Sequence, residues 1–170
     1  MRTGLRRGLI CVLSLAPAAV FADNGSEIRW DNISGVITGP GVDNPIAGIS
    51  SGAGPWVTTR GKARLDLSSG NALFDVEGLV LNGSNASGTP GAVAFVAGTF
   101  ICNPGTPTQT VHDTATVPLS SAGDAIFVGS LGGALGTCSN PLFLIRAAPN
   151  GGAPTRWIGT GAVRRTGDNN

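Results

Sequence analysis

His112 is the only histidine among 170 residues. Any Ser-His-Asp triad or histidine metal site must therefore run through it. Asp113 is its neighbour, and adjacent strand residues point to opposite faces, so the two form no local dyad. Gly48-Ile49-Ser50-Ser51-Gly52 matches the G-x-S-x-G pattern. A nucleophile elbow needs a strand before the serine and a helix after it. Here the flanks are Pro45, Gly54 and Pro55, with no helix in reach. Asp75 and Glu77 stand two apart, about 6.6 Å along a strand, near the separation of paired glycosidase carboxylates. One of them must then be kept protonated by burial, yet each is expected to face a cation across a hairpin. Two exported cysteines and one histidine do not complete a tetrahedral ligand set. No catalytic residue, metal or other cofactor is assigned.

Binding is a better use for the remaining polar and aromatic groups. Thr106, Thr108, Thr110, His112, Thr114 and Thr116 share one parity. A continuous strand turns them into a polar stripe and sends Val111, Ala115 and Val117 to the core. Thr110, His112 and Thr114 are its candidate ligand contacts, although threonine also suits any solvated strand face. The chain has three tryptophans, Trp30, Trp56 and Trp157, and no tyrosine. Tryptophan can stack on a sugar or fill a core. Trp56 follows a long loop and is the candidate for an exposed ring.

The elements that must position these groups follow from composition and pattern. Met1 to Ala22 reads as a secretory signal peptide: Arg2, Arg6 and Arg7, then an apolar run, then Val20-Phe21-Ala22 before Asp23. The apolar run is shorter than the roughly 20 residues of a membrane span and contains Pro17. No transmembrane anchor is expected after cleavage. Removing this segment takes Cys11 and three cations, leaving eight basic and ten acidic residues, a net charge of −2. Nucleic acid needs clustered Lys and Arg, so it is not an expected partner. Cys102 and Cys138 remain, and a disulfide between them is the expected state in an oxidising compartment.

Residues 23–170 are expected to form one all-β domain, an antiparallel sandwich or barrel of about eight or nine short strands. Glycine spread between short apolar runs argues for many turns, and no long helical periodicity is present. Strands are expected within Glu27 to Thr38, Ala92 to Cys102, Thr108 to Leu119, Ala125 to Leu131, Pro141 to Ala148 and Thr155 to Arg164. The segment 39–55 is long for a loop in a compact domain, which suggests a functional lid or a mobile edge. The clearest hairpin lies in Thr59 to Leu81. With 68–71 as its loop, Leu65 faces Phe74, Ala63 faces Val76, Arg64 faces Asp75 and Lys62 faces Glu77. Apolar pairs then share one face and opposite charges the other.

Arg60 to Leu67, Phe74 to Leu79, Gly88 to Gly91, Gly98 to Cys102 and the closing Arg156 to Gly161 resemble uncharacterised secreted bacterial proteins. The likeness covers roughly residues 58 to 164 and implies export but no particular activity. The A-x-L-x-L…F-x-V-x-G-L strand pair is also similar to chordin-type repeat (CHRD) domains, whose paired-His segment and closing Gly-Glu-x-Arg-Gly are absent here. The expected function is an exported, periplasmic or extracellular, non-enzymatic module that binds a glycan or a protein surface. The alternatives are a small secreted esterase or glycosidase and a structural envelope or matrix component.

Overall fold

The computed structural model describes residues 26–39 and 41–166, apart from the side chains of Val163 and Thr166. The signal-peptide segment lies outside the described residues. Eleven strands follow one another: β1 (Glu27–Gly35), β2 (Trp56–Val57), β3 (Arg60–Asp66), β4 (Asn71–Glu77), β5 (Val80–Leu81), β6 (Phe95–Cys102), β7 (Thr110–Asp113), β8 (Val117–Pro118), β9 (Ala125–Ser130), β10 (Leu142–Ala147) and β11 (Trp157–Thr166). Among the described residues the only helical piece is a 3-10 turn at Pro149–Gly151. The chain is all-β, as its patterning predicts.

Eight strands make one antiparallel sheet in the order β7-β6-β10-β11-β1-β3-β4-β9. β8 also pairs with β6 and lies against β9, while β2 and β5 form a separate two-stranded ribbon. The sheet is strongly curled, and its aromatic rings record this. Phe74 on β4 and Phe143 on β10 are four places apart in the order, yet their ring centroids lie 6.0 Å apart. Phe143 also meets Phe100 and Trp30, at 4.9 and 5.8 Å. One buried cluster thus collects side chains from strands all around the sheet. Curling this tightly needs room, and Gly98 on β6 provides it. A Cβ there would stand 2.7 Å from the Phe74 ring. Full burial of such aromatic side chains contributes about 1.5–3 kcal/mol each.

The β3–β4 hairpin has the expected faces but a register shifted by two residues. Lys62 pairs with Asp75, Ala63 with Phe74, Leu65 with Ala72 and Arg60 with Glu77. The four-residue loop is therefore 67–70 rather than 68–71. Asp66 is the cause. Its carboxylate accepts the Ser68 N–H at 2.9 Å and the hydroxyls of Ser68 and Ser69 at 2.7 Å each. Its carbonyl accepts the Gly70 N–H at 2.8 Å. Gly70 takes a positive φ of 72° in this turn, a conformation open to glycine at little cost. A shift of two preserves parity, so the apolar face stays inward.

Cys102 ends β6, and a disulfide joins it to Cys138 ahead of β10. β6 and β10 are paired neighbours, with Ile101 opposite Leu142. A polar clasp lies beside the covalent one. Asn103 N–H donates to Ser139 O at 3.0 Å, and Ser139 N–H donates back to Asn103 Oδ1 at 2.9 Å. Among the described residues no helix is long and apolar enough to cross a membrane.

Candidate functional site

The long segment after β1 is a built structure rather than a loose lid. Ile46 and Ile49 exchange both backbone hydrogen bonds, closing a two-residue turn at Ala47 and Gly48. Both turn residues have positive φ, 50° and 82°, as tight hairpin turns of this length require. Gly48 of the G-x-S-x-G match is thus a turn residue, and no helix follows Ser50. The Ser50 hydroxyl donates to Asp43 Oδ2 at 2.8 Å, and the Ser51 N–H donates to Asp43 Oδ1 at 2.8 Å. The hydrogen bond from Ser50 foremost, then that from Ser51, holds the Asp43 carboxyl below its usual range.

This segment is fastened to the start of β11. Trp157 N–H donates to Ser50 O, and Gly52 N–H donates to Trp157 O at 2.7 Å. The Trp157 indole N–H donates to Asn44 O at 2.9 Å, and Arg156 donates to Ser51 O at 2.9 Å. Ser51 itself is buried, and its Oγ accepts the Asn44 N–H. Buried polar groups are costly unless paired, and here each finds a partner within the loop or on β11.

Beside this fastening lies a cleft of about 290 Å³, framed by Gly52 to Gly54, Trp56, Leu81, Pro90, Ala92, Val93, Ala147, Thr155, Arg156 and Ile158. A second hollow of about 280 Å³ shares Ala92, Val93 and Ala147 with it and continues past Ala94, Ala148 and Pro149. The lining is mostly small and apolar, with the exposed Arg156 among it. Trp56 is not the exposed platform expected of it: it is only 4% exposed. Its backbone N–H is bound to Val36 O, and the ring packs into the core cluster. Trp30 and Trp157 are buried as well, so none of the three offers an open ring face for sugar stacking.

The threonine stripe breaks at the end of β7. Thr110 and His112 do share a face, and His112 Nε2 lies 3.0 Å from Thr110 Oγ1. Thr114 leaves the stripe and is buried. Its backbone N–H donates to Gly98 O, and its Oγ1 accepts the Gly98 N–H at 3.0 Å. The side chain thus continues the ladder where the strand stops, which turns it inward. Val111 and Ala115, expected in the core, are exposed instead. Asp113 points the other way from His112 and accepts from Thr99 Oγ1 at 2.6 Å and Arg146 at 3.2 Å.

The carboxylates Asp75 and Glu77 line an open groove of about 340 Å³ with Asp31, Arg60 and Lys62 on the outer face. Each faces a cation: Lys62 Nζ is 3.5 Å from Asp75, and Arg60 pairs with Glu77. Ion pairing across the hairpin is what this geometry supplies. Next to them, Ile126 and Val128 of β9 are exposed.

Of the sequence-based candidates, only Trp56 reaches the cleft. Thr110 and His112 stay together on β7, and Thr114 is buried in a structural role. Gly52, Ala92, Ala147 and Arg156 carry no signal of their own in the sequence. The length of the 39–55 segment was the one hint of a cleft. Compared with known proteins, the chain matches no family model, no curated protein and no solved structure.

Proposed function

We propose that this protein is an exported, non-enzymatic binding module whose ligand enters the cleft over Trp56. The preformed apolar cleft is the observation that carries this reading. Ligand sites are typically concave, mostly apolar and furnished with few polar groups, and the lining here has that character. Export rests on the signal-like residues 1–22 and agrees with the disulfide. A hydrolase is the weaker reading, since Ser50 is bonded to Asp43 while His112 is bonded to Thr110.

A neutral apolar dye, N-phenyl-1-naphthylamine, tests the cleft. Its fluorescence is expected to rise on mixing with the folded protein and to fall back in Ala92→Phe, which fills the mouth from an exposed position. A dye signal unchanged by Ala92→Phe, with the far-UV spectrum intact, overturns the assignment. Turnover of a generic ester or glycoside that is lost in Ser50→Ala or His112→Ala would restore the hydrolase reading.

A further inference from the structure

Trp56 and Trp157 flank the same loop, but only one indole N–H is satisfied. Trp157 donates to Asn44 O. Trp56 Nε1 has no hydrogen-bond partner among the described residues, although the residue is more than nine-tenths buried. Among the described residues no unpartnered polar side-chain atom is sealed from solvent, so this N–H opens to the outside. Gly52 makes the opening: a Cβ there would stand 3.4 Å from Trp56 Nε1 and 3.1 Å from Ile158. Both residues line the cleft. A buried tryptophan usually finds an acceptor for its N–H, so a donor left open in an apolar cleft marks where a ligand acceptor sits.

A second donor converges on the same space. The Arg156 guanidinium spends one N–H group on Ser51 O, its one side-chain hydrogen bond among the described residues. The guanidinium carries five donors in a planar fork, which suits a carboxylate. Asp43 is the nearby opposing charge acting on Arg156, and its oxygens are already engaged by Ser50 and Ser51. The two hollows that share Ala92, Val93 and Ala147 extend the apolar surface away from these donors.

We infer that the cleft takes a monocarboxylate with an apolar tail, of the size of a medium-chain fatty acid, its oxygens meeting Trp56 Nε1–H and the Arg156 guanidinium. This rests on the cleft being the binding site and adds the class of ligand. The tail lies along Val93, Ala147 and Pro149, where small side chains leave room for it.

Octanoate, octanol and octylammonium share one tail and differ in the head group, so together they separate the two readings. In titrations followed by the assigned Trp56 indole N–H resonance, octanoate is expected to shift that signal and to bind about tenfold more tightly than octanol, with octylammonium weaker still. Arg156→Gln should bring the octanoate-to-octanol ratio close to one, and Arg156→Lys, which keeps the charge, should restore part of it. Equal binding of octanoate and octanol in the wild type overturns the carboxylate inference and leaves the cleft in place. Octanoate binding that leaves the Trp56 resonance unmoved overturns the assignment of the donor. Failure of all three amphiphiles and of the neutral dye overturns the cleft reading itself.

Discussion

Asp66 and Asp43 each tie a loop together through serine hydroxyls and backbone N–H groups, but they serve different ends. Asp66 is buried and binds Ser68 and Ser69, two and three residues on, and Ser26 from the start of the described chain. Asp43 is exposed and reaches seven and eight residues on, to Ser50 and Ser51. The short knot closes a turn and sets the register of a sheet. The longer one shapes a segment that lies on β11 and forms the wall of a cleft. The same chemistry therefore supports stability at one place and a binding surface at the other, and the difference comes from loop length and burial.

Breaking the covalent clasp gives the yardstick for both. Replacing Cys102 and Cys138 by serine should cost about 4 kcal/mol, from the chain entropy of a loop spanning a separation of 36 residues. Urea unfolding measures it, and because the effect acts largely through the unfolded chain, it should not distinguish the two aspartate knots. Asp66→Ala should cost about 3 kcal/mol in the same measurement, since several hydrogen bonds to one buried charge are lost together. A loss below about 1 kcal/mol would mean that the turn holds without its carboxylate.

The same group predicts a pH dependence. Burial opposes ionisation of Asp66 most strongly, but the hydroxyls of Ser69, Ser68 and Ser26 and the Ser68 N–H outweigh it, holding the carboxyl well below its usual range. In acid the unfolded chain therefore binds a proton that the folded chain does not. The stabilisation is complete above the unfolded value of about 3.9 and is lost as pH falls below it towards the folded value. Unfolding midpoints between pH 6 and pH 2 should fall more steeply in the wild type than in Asp66→Ala. Parallel curves would contradict the assignment.

Asp43→Ala should produce the smallest change in global stability and the most local one. Hydrogen exchange at Ser51, Gly52 and Trp157 is expected to accelerate about tenfold, with the β3–β4 amides unmoved, because exposed loop contacts report local opening. Weaker dye binding should accompany it. Equal acceleration in both regions would show that the two knots belong to one cooperative unit.

The comparison also explains which parts of the fold were legible in the sequence. Alternation of Ala63 and Leu65 with Lys62 and Arg64 revealed which face of the hairpin turns inward, because strand parity is a local property. The register was missed by two residues, because it depends on Asp66 capturing the Ser68-Ser69 turn. Cys102 and Cys138 paired as expected; the expectation came from reading Cys11 as part of a signal peptide. Trp56 was placed wrongly because neither its neighbours nor its spacing reveal that Val36, Gly52 and Ile158 close around it. Thr114 was misplaced for a similar reason: its inward turn answers the backbone of Gly98, sixteen residues away in sequence.

By itself the sequence determined the all-β class, the faces of the best strands and the cysteine pair. The class and the faces follow from side-chain parity and turn chemistry, which act over a few residues, and the cysteine pair follows from elimination. Only the tertiary structure decided that Phe74 lies over Gly98, that Trp56 is buried with its indole N–H left open, and that Arg156 stands at the same cleft. Curling of the sheet sets those meetings. Burial depends on which distant strands face one another across the interior, and no local pattern in the chain encodes that.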